Sequence, residues 1–188
     1  MRTSLTAIVT ILAAINFAIL TVLHRFWFEA LNGGEKLFDA RFTGYTVDVA
    51  NGVLDNLGEG GRAGHILWHN TIFDFSFPLI LSACAVSWIV KLGNRLPRFK
   101  AMANGWKILL SVIVVIPYLI SDLAENGKVR QILENGAPAE PGLVASASAL
   151  TVSKWTFVAI TLSIVMLFTL AGSLAQRKSA RYLSQGDS

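Results

Sequence analysis

Cysteine is almost missing from this sequence. Cys84 stands alone in 188 residues, so neither a disulfide-built module nor a two-thiol redox mechanism is open to the chain. Charge is scarce too: Asp, Glu, Lys and Arg make up 15% against 53% in the hydrophobic set, where soluble domains carry about 25% charged residues. That apolar content excludes disorder, and the lack of a sustained heptad excludes a coiled coil. A nucleophile elbow for a Ser-His-Asp hydrolase is absent. So is a phosphate-cradling loop, because Gly58-x-Gly60-Gly61 is short and acidic. Internal repeats and low-complexity segments are lacking as well.

What remains is apolar length. Four runs approach or reach the roughly 20 residues needed to cross a bilayer: Leu5 to Leu23, Thr71 to Val90, Trp106 to Ile120 and Trp155 to Ala175. The third is short but extends as helix past Ser121. Asp74 is the only charge inside them, with Lys107 at the very start of the third. The first run is too long for a signal-peptide core and lacks a small-x-small site; His24-Arg25-Phe26-Trp27-Phe28 follows it as an interfacial anchor. The expected fold is therefore an all-α integral membrane protein, a four-helix transmembrane bundle forming one domain. Its spans cover about 5–24, 71–90, 106–122 and 155–175, its long loops 25–70 and 123–154, its short loop 91–105 and its tail 176–188.

Basic residues orient the bundle. Lys91, Arg95, Arg98, Lys100 and Lys107 crowd the short connection, and Arg177, Lys178 and Arg181 face only Asp187 in the tail. Residues 25–64 hold four bases and six acids, and residues 122–154 three bases and four acids. The positive-inside bias thus puts both termini and the short loop in the cytoplasm and both long loops outside. Trp27, Trp68 and Trp155 mark the outer boundary, Trp88 and Trp106 the inner one. The net charge of +4 is a topology signal, and nucleic acid is not an expected partner.

The first long loop contains a helix. Thr46 can cap Val47 to Leu57, with Val49, Ala50, Val53, Leu54 and Leu57 on one stripe and Asp48, Asn51, Asp55 and Asn56 opposite. Gly58 is expected to end it, and Glu59-Gly60-Gly61 to turn. An acidic back without lysine suits anionic lipid poorly, so this helix reads as an extracytoplasmic cap over the bundle mouth. In the second long loop Asn135-Gly136 closes a continuation of the third helix. The small-residue run from Leu143 to Ser153 either starts the fourth helix early or forms a separate short helix.

Polar groups near the outer end need a reason, since an ionised carboxylate inside a span costs at least about 2.5–3.5 kcal/mol. Asp74 lies one turn inside the second span and should meet Arg62, Asn126 or Tyr118. Asp122, Glu125 and Asn126 project from one face of the third helix, above Tyr118. Lys154 opens the fourth helix at the same depth, and His65 and His69 precede the second. Pro78 and Pro117 can bend their helices around a cavity, and Asn16 is polar glue in the first span. Two readings stay open: a salt-bridge network pinning the helix ends, or a pocket whose ligand-binding residues would be Arg62, His69, Asp74, Tyr118, Asp122, Glu125, Asn126 and Lys154.

No metal and no cofactor are expected. His65 and His69 have the i, i+4 spacing of many zinc ligands, but the glutamate of a metalloprotease motif is replaced by Ile66. Asp74 would stand about 140° round an α-helix from His69, so a third ligand would have to be Asp122 or Glu125. Haem ligation by His24 with His65 or His69 is a lesser alternative.

Several strings resemble a family of small bacterial membrane proteins with four spans and no established function. They are Phe38-Asp39-x-Arg41-x-x-Gly44-Tyr45, Leu57-Gly58-x-x-Gly61-Arg62, Asp74-x-x-Phe77-Pro78 and Asp122-x-x-Glu125-Asn126. The resemblance implies a four-helix bundle with a loop subdomain and no activity. In physical terms, Phe38 can anchor the loop, Asp39 and Arg41 can pair, Gly44 permits a turn, and Arg62 can reach Asp122 and Glu125. The expected function is that of a binding or accessory protein for a lipid-like ligand or a partner helix, the partners being membrane lipid, a second copy or another membrane protein. The alternative is an intramembrane enzyme on a lipid-like or quinone-like substrate, with Asp74 and Glu125 as acid/base pair and Arg62 or Lys154 holding an anionic group. A transporter or channel ranks third.

Overall fold

The structure, a computed structural model, describes residues 4–186, with side chains to residue 175. Arg2 and Asp187, and the side chains of Arg177, Lys178 and Arg181, lie outside the described residues. Among the described residues five helices follow one another: α1 (Leu5–Leu31), α2 (Val47–Gly93), the short α3 (Pro97–Lys100), α4 (Asn104–Asn135) and α5 (Pro141–Gly186). Four of them, all but α3, are long and apolar enough to cross a membrane, the architecture of a multi-pass membrane protein. No strand occurs among the described residues.

Each helix begins and ends for local reasons. Ser4 caps α1 by accepting from the Ala7 amide at 3.2 Å, and Thr46 caps α2 by accepting from Val49 at 3.4 Å. Pro97 opens α3, where its missing N–H costs nothing. Gly136, at φ 74°, closes α4. The small-residue run after Pro141 belongs to one continuous α5, which resolves the alternative of a separate helix.

Helices α2, α4 and α5 pack on one another, while α1 lies chiefly against α2. Polar pairs mark the α1–α2 seam: Asn16 Nδ2 donates to Ser76 Oγ at 3.2 Å, and Trp88 Nε1 to Thr10 Oγ1 at 3.0 Å. Such bonds matter within a bilayer because lipid supplies no hydrophobic drive for helix association. Ile11, Ile15, Phe17 and Val22 of α1 remain exposed.

The dense apolar core lies at one end of the bundle, here termed the cap end. Phe28, Leu37 and Phe38 join Ala50, Val53, Leu54 and Leu57 of α2, Val129, Ile132 and Leu133 of α4, and Val144 and Ala147 of α5. The expected apolar stripe of the cap helix is thus buried apart from the half-buried Val49, and Leu37, Phe38 and Tyr45 of the loop fold down with it. Burial of each large side chain contributes about 1.5–3 kcal/mol. Gly44, at φ 85°, makes the turn that lets the Tyr45 amide donate to Ser148 Oγ at 2.8 Å; a Cβ at 44 would come within 2.5 Å of that oxygen.

Gly58 does not end the cap helix. It kinks it, at φ 58° and ψ −175°, and the helix resumes through Gly64. Arg62 holds the bend, donating Nε to the Gly58 carbonyl and Nη1 to that of Leu133, each at 3.2 Å. The Glu59-Gly60-Gly61 turn expected from sequence is therefore helical, because the kink leaves a carbonyl that a nearby guanidinium satisfies.

Phe38→Ala should weaken attachment of residues 32–46 by about 3–5 kcal/mol. Limited proteolysis of the protein in lipid nanodiscs should then cut within 32–46 while the long helices persist; unchanged resistance would contradict this packing.

Candidate functional site

Two stretches depart from α-geometry, and both carry histidines. His24–Phe28 in α1 and His65–Phe73 in α2 are π-helical, closing N–H to C=O five residues apart. The Glu29 amide donates to the His24 carbonyl, and the Asp74 amide to that of His69. A π-turn brings residues i and i+5 nearly over one another. His69 Nδ1 therefore lies 2.9 Å from Asp74 Oδ2, and His24 Nε2 lies 3.7 Å from Glu29 Oε1. This corrects the 140° separation expected for His69 and Asp74, which holds for an α-helix only.

From these pairs a polar chain crosses the cap end. Arg25 binds Glu29 at 2.6 Å, and Glu29 faces His24. Asp39, on the loop, stands between the two π-segments: its Oδ1 is 3.7 Å from His24 Nδ1 and its Oδ2 is 3.8 Å from His69 Nε2. The Asp39 carbonyl accepts from Trp155 Nε1 at 2.9 Å, which ties the loop to α5. Burial pushes the Asp39 carboxyl up, but His24 and His69, with Lys154 beyond, outweigh it and hold it well below the usual carboxylate range. Beyond Asp74, Asn126 of α4 donates to the Asp74 carbonyl at 3.0 Å and to Asp122 Oδ2 at 3.3 Å. Asn70 donates to the Asn126 carbonyl at 2.9 Å.

The chain ends on a buried lysine. Lys154, 6% exposed, lies 3.3 Å from Asp122 and in very close contact with Glu125. Glu125 is 0% exposed and accepts from Thr151 Oγ1 at 2.7 Å. One ammonium thus serves two carboxylates, and Asn126 and Thr151 satisfy further oxygens, as buried ion clusters require. Tyr118 is buried on the same face of α4.

Most residues singled out from sequence meet here, but not as expected. His69, Asp74, Asp122, Glu125, Asn126 and Lys154 form one network. Arg62 does not reach Asp122 or Glu125, because carbonyls at the kink and at the end of α4 take its donors. Asp74 meets His69 through its carboxylate and Asn126 through its carbonyl; Arg62 and Tyr118 do not bind it. Arg41 does not pair with Asp39: its Nη2 donates to the Lys36 carbonyl at 2.7 Å and lies 3.9 Å from Glu35. Asp122 and Glu125 are taken by Lys154, so neither stands as a third ligand beside His65 and His69.

Sequence reasoning weighed His24 only as a haem ligand and gave Asp39 to Arg41, so neither was placed in this network. The signal was available: all three histidines of the chain belong to this end, and Asp39 is the conspicuous acid of the Phe38-to-Tyr45 string. His65 stacks on His69 with centroids 4.5 Å apart, and the buried Phe28 packs on both rings at 4.7 and 5.9 Å. These contacts leave no slot between the rings for a haem macrocycle. An open apolar hollow of about 590 Å³ lies by Leu96, Pro97, Arg98, Phe99 and Met102, at the end opposite the polar network. No family model, curated protein or solved structure matches the chain.

Lys154→Met leaves two buried carboxylates without a cation and should cost about 3–5 kcal/mol. Thermal unfolding in detergent should show a large loss; a variant as stable as the parent would remove the network from the account.

Proposed function

We propose that this protein is a non-catalytic binding or accessory protein of a bacterial inner membrane. The observation that carries the reading is the pairing at the cap end: Asp39 and Asp74 face His69, Asp122 and Glu125 face Lys154, and Glu29 faces Arg25 and His24. An acid/base catalyst needs a free group of suitable pKa within reach of a substrate. Asp74 and Glu125 are instead held by different partners, His69 for the one and Lys154 and Thr151 for the other. The membrane surface offers the place for a companion. α1 leans on α2 and leaves Ile11, Ile15 and Val22 uncovered along one face, suited to a lipid tail or to a helix of another membrane protein.

Sidedness follows from charge. Lys91, Arg95, Arg98 and Lys100 surround the short connection opposite the cap, which supports a cytoplasmic position for that end and for both termini. The cap then lies on the extracytoplasmic side. The likeness to small bacterial four-span proteins agrees with this reading, and its Phe38, Gly44 and Arg62 positions hold the cap in place.

Single cysteines introduced at Asp55 and at Arg98 should label from opposite sides of sealed membranes, Asp55 from outside. Labelling of Asp55 from the cytoplasm would invert the topology. Native mass spectrometry of the full chain released from its own membrane should show a stoichiometric lipid or polypeptide companion, retained in Asp74→Asn. A bare monomer, or a small molecule that accumulates only in Asp74→Asn and Glu125→Gln as an unturned substrate would, contradicts the accessory reading.

A further inference from the structure

We propose that His24, Asp39 and His69 form a binding site for a first-row divalent transition metal of the Zn²⁺ class, with His65 as the fourth donor. The proposal goes beyond the accessory reading and does not depend on it. It also reverses the expectation from sequence that the chain holds no metal.

The separations come first. One nitrogen from each of two histidines and one carboxylate oxygen lie within 4.8 Å of one another. The shortest nitrogen-to-oxygen approaches, 3.7 Å from His24 to Asp39 Oδ1 and 3.8 Å from His69 to Asp39 Oδ2, run to the two different carboxylate oxygens and are too long for hydrogen bonds. Neighbouring ligands around a tetrahedral ion with bonds of about 2.0–2.1 Å stand roughly 3.3–3.5 Å apart. The three donors, within 4.8 Å of one another, must therefore draw in by up to about an ångström each to close the site. The three donors come from α1, the cap loop and α2, so an ion here would join elements far apart in sequence.

The surroundings match those of a metal ligand. His69 Nδ1 is engaged by Asp74 at 2.9 Å, which directs Nε2, the nitrogen facing Asp39, to act as the donor. A carboxylate behind an imidazole is the usual outer support of a histidine metal site. His24 turns Nδ1 toward Asp39, while its buried Nε2, 3.7 Å from Glu29, has no hydrogen-bond partner. Both histidines are aimed by π-turns, which are rare and concentrate at functional sites.

His65 supplies a separate indication. It is 3% exposed, yet neither ring nitrogen has a hydrogen-bond partner, although burying such a group unpaired costs about 1–3 kcal/mol. Its ring is stacked on that of His69 and stands outside the three-donor cluster, so it would have to turn to bring an unused nitrogen to the ion. Two or three imidazoles with one carboxylate select zinc, copper, nickel or cobalt; calcium and magnesium call for oxygen ligands.

The test uses the full chain in detergent, purified on an affinity tag without histidine, stripped with chelator and titrated with Co²⁺ and Zn²⁺. Wild type should bind one Co²⁺ with the visible absorption of a four-coordinate ion, displaceable by one equivalent of Zn²⁺. Asp39→Asn and His69→Ala should each weaken binding at least tenfold. His65→Ala should shift the cobalt spectrum, and Asp74→Asn should weaken binding by about 10–100-fold. Circular dichroism shows which variants keep their helices, and Asp39→Asn, on the loop, is the one chosen to keep the bundle intact. No saturable binding, a six-coordinate spectrum, or binding that Asp39→Asn leaves unchanged would overturn the proposal. A companion found by native mass spectrometry without metal binding defeats this inference alone. Metal binding without a companion defeats the accessory reading alone.

Discussion

Lys154 holds a positive charge where almost no water reaches, and much of the cap end is arranged around it. An isolated buried ammonium is far costlier than a domain's net stability can bear, so it persists only with compensating charge and hydrogen bonds. Asp122 and Glu125 supply the charge from one face of α4, and Asn126 and Thr151 supply the bonds. Asn126 then reaches the Asp74 carbonyl, and through His69 the sequence of pairs continues to Asp39 and to α1. The long helices and the loop thus share one polar constraint. It fixes how far α5 can slide along α4, since a one-residue shift would separate Lys154 from its acids.

The apolar core follows a complementary rule. Within a bilayer, helices gain little by turning hydrophobic side chains toward one another, because lipid receives them equally well. Water at the cap end restores that gain. The tightest packing therefore lies under the cap, around Phe28, Leu37, Phe38 and the 47–57 stripe, while α1 is left mostly uncovered. A membrane protein with its best core beyond the spans is the expected outcome of these two solvents.

The four spans, the Thr46 cap, the buried stripe and the close at Gly136 were legible from hydropathy, capping chemistry and period. The convergence of Asp122, Glu125, Asn126 and Lys154 was legible as well, because i, i+3 and i+4 on an α-helix share a face. What escaped were the non-standard parts. No simple sequence rule marks a π-turn, so Asp74, about 140° round an α-helix from His69, was set aside as a ligand beside it. Gly58 looked like a stop because glycine at positive φ usually ends a helix; only the position of Arg62 in space shows how the chain resumes. Asp39 was assigned to Arg41 because they are neighbours in sequence, whereas its partners are 15 and 30 residues away.

The central claim is that residues 32–46 are fixed onto the bundle by buried contacts and paired charges. Hydrogen-exchange mass spectrometry of the wild-type protein in nanodiscs tests it most directly. The Tyr45 amide, held by Ser148, and the Gly44 amide, bonded to the Arg41 carbonyl at 2.8 Å, should exchange as slowly as the adjoining helical amides of residues 47–57. Exchange at the rate of an open loop would contradict the account.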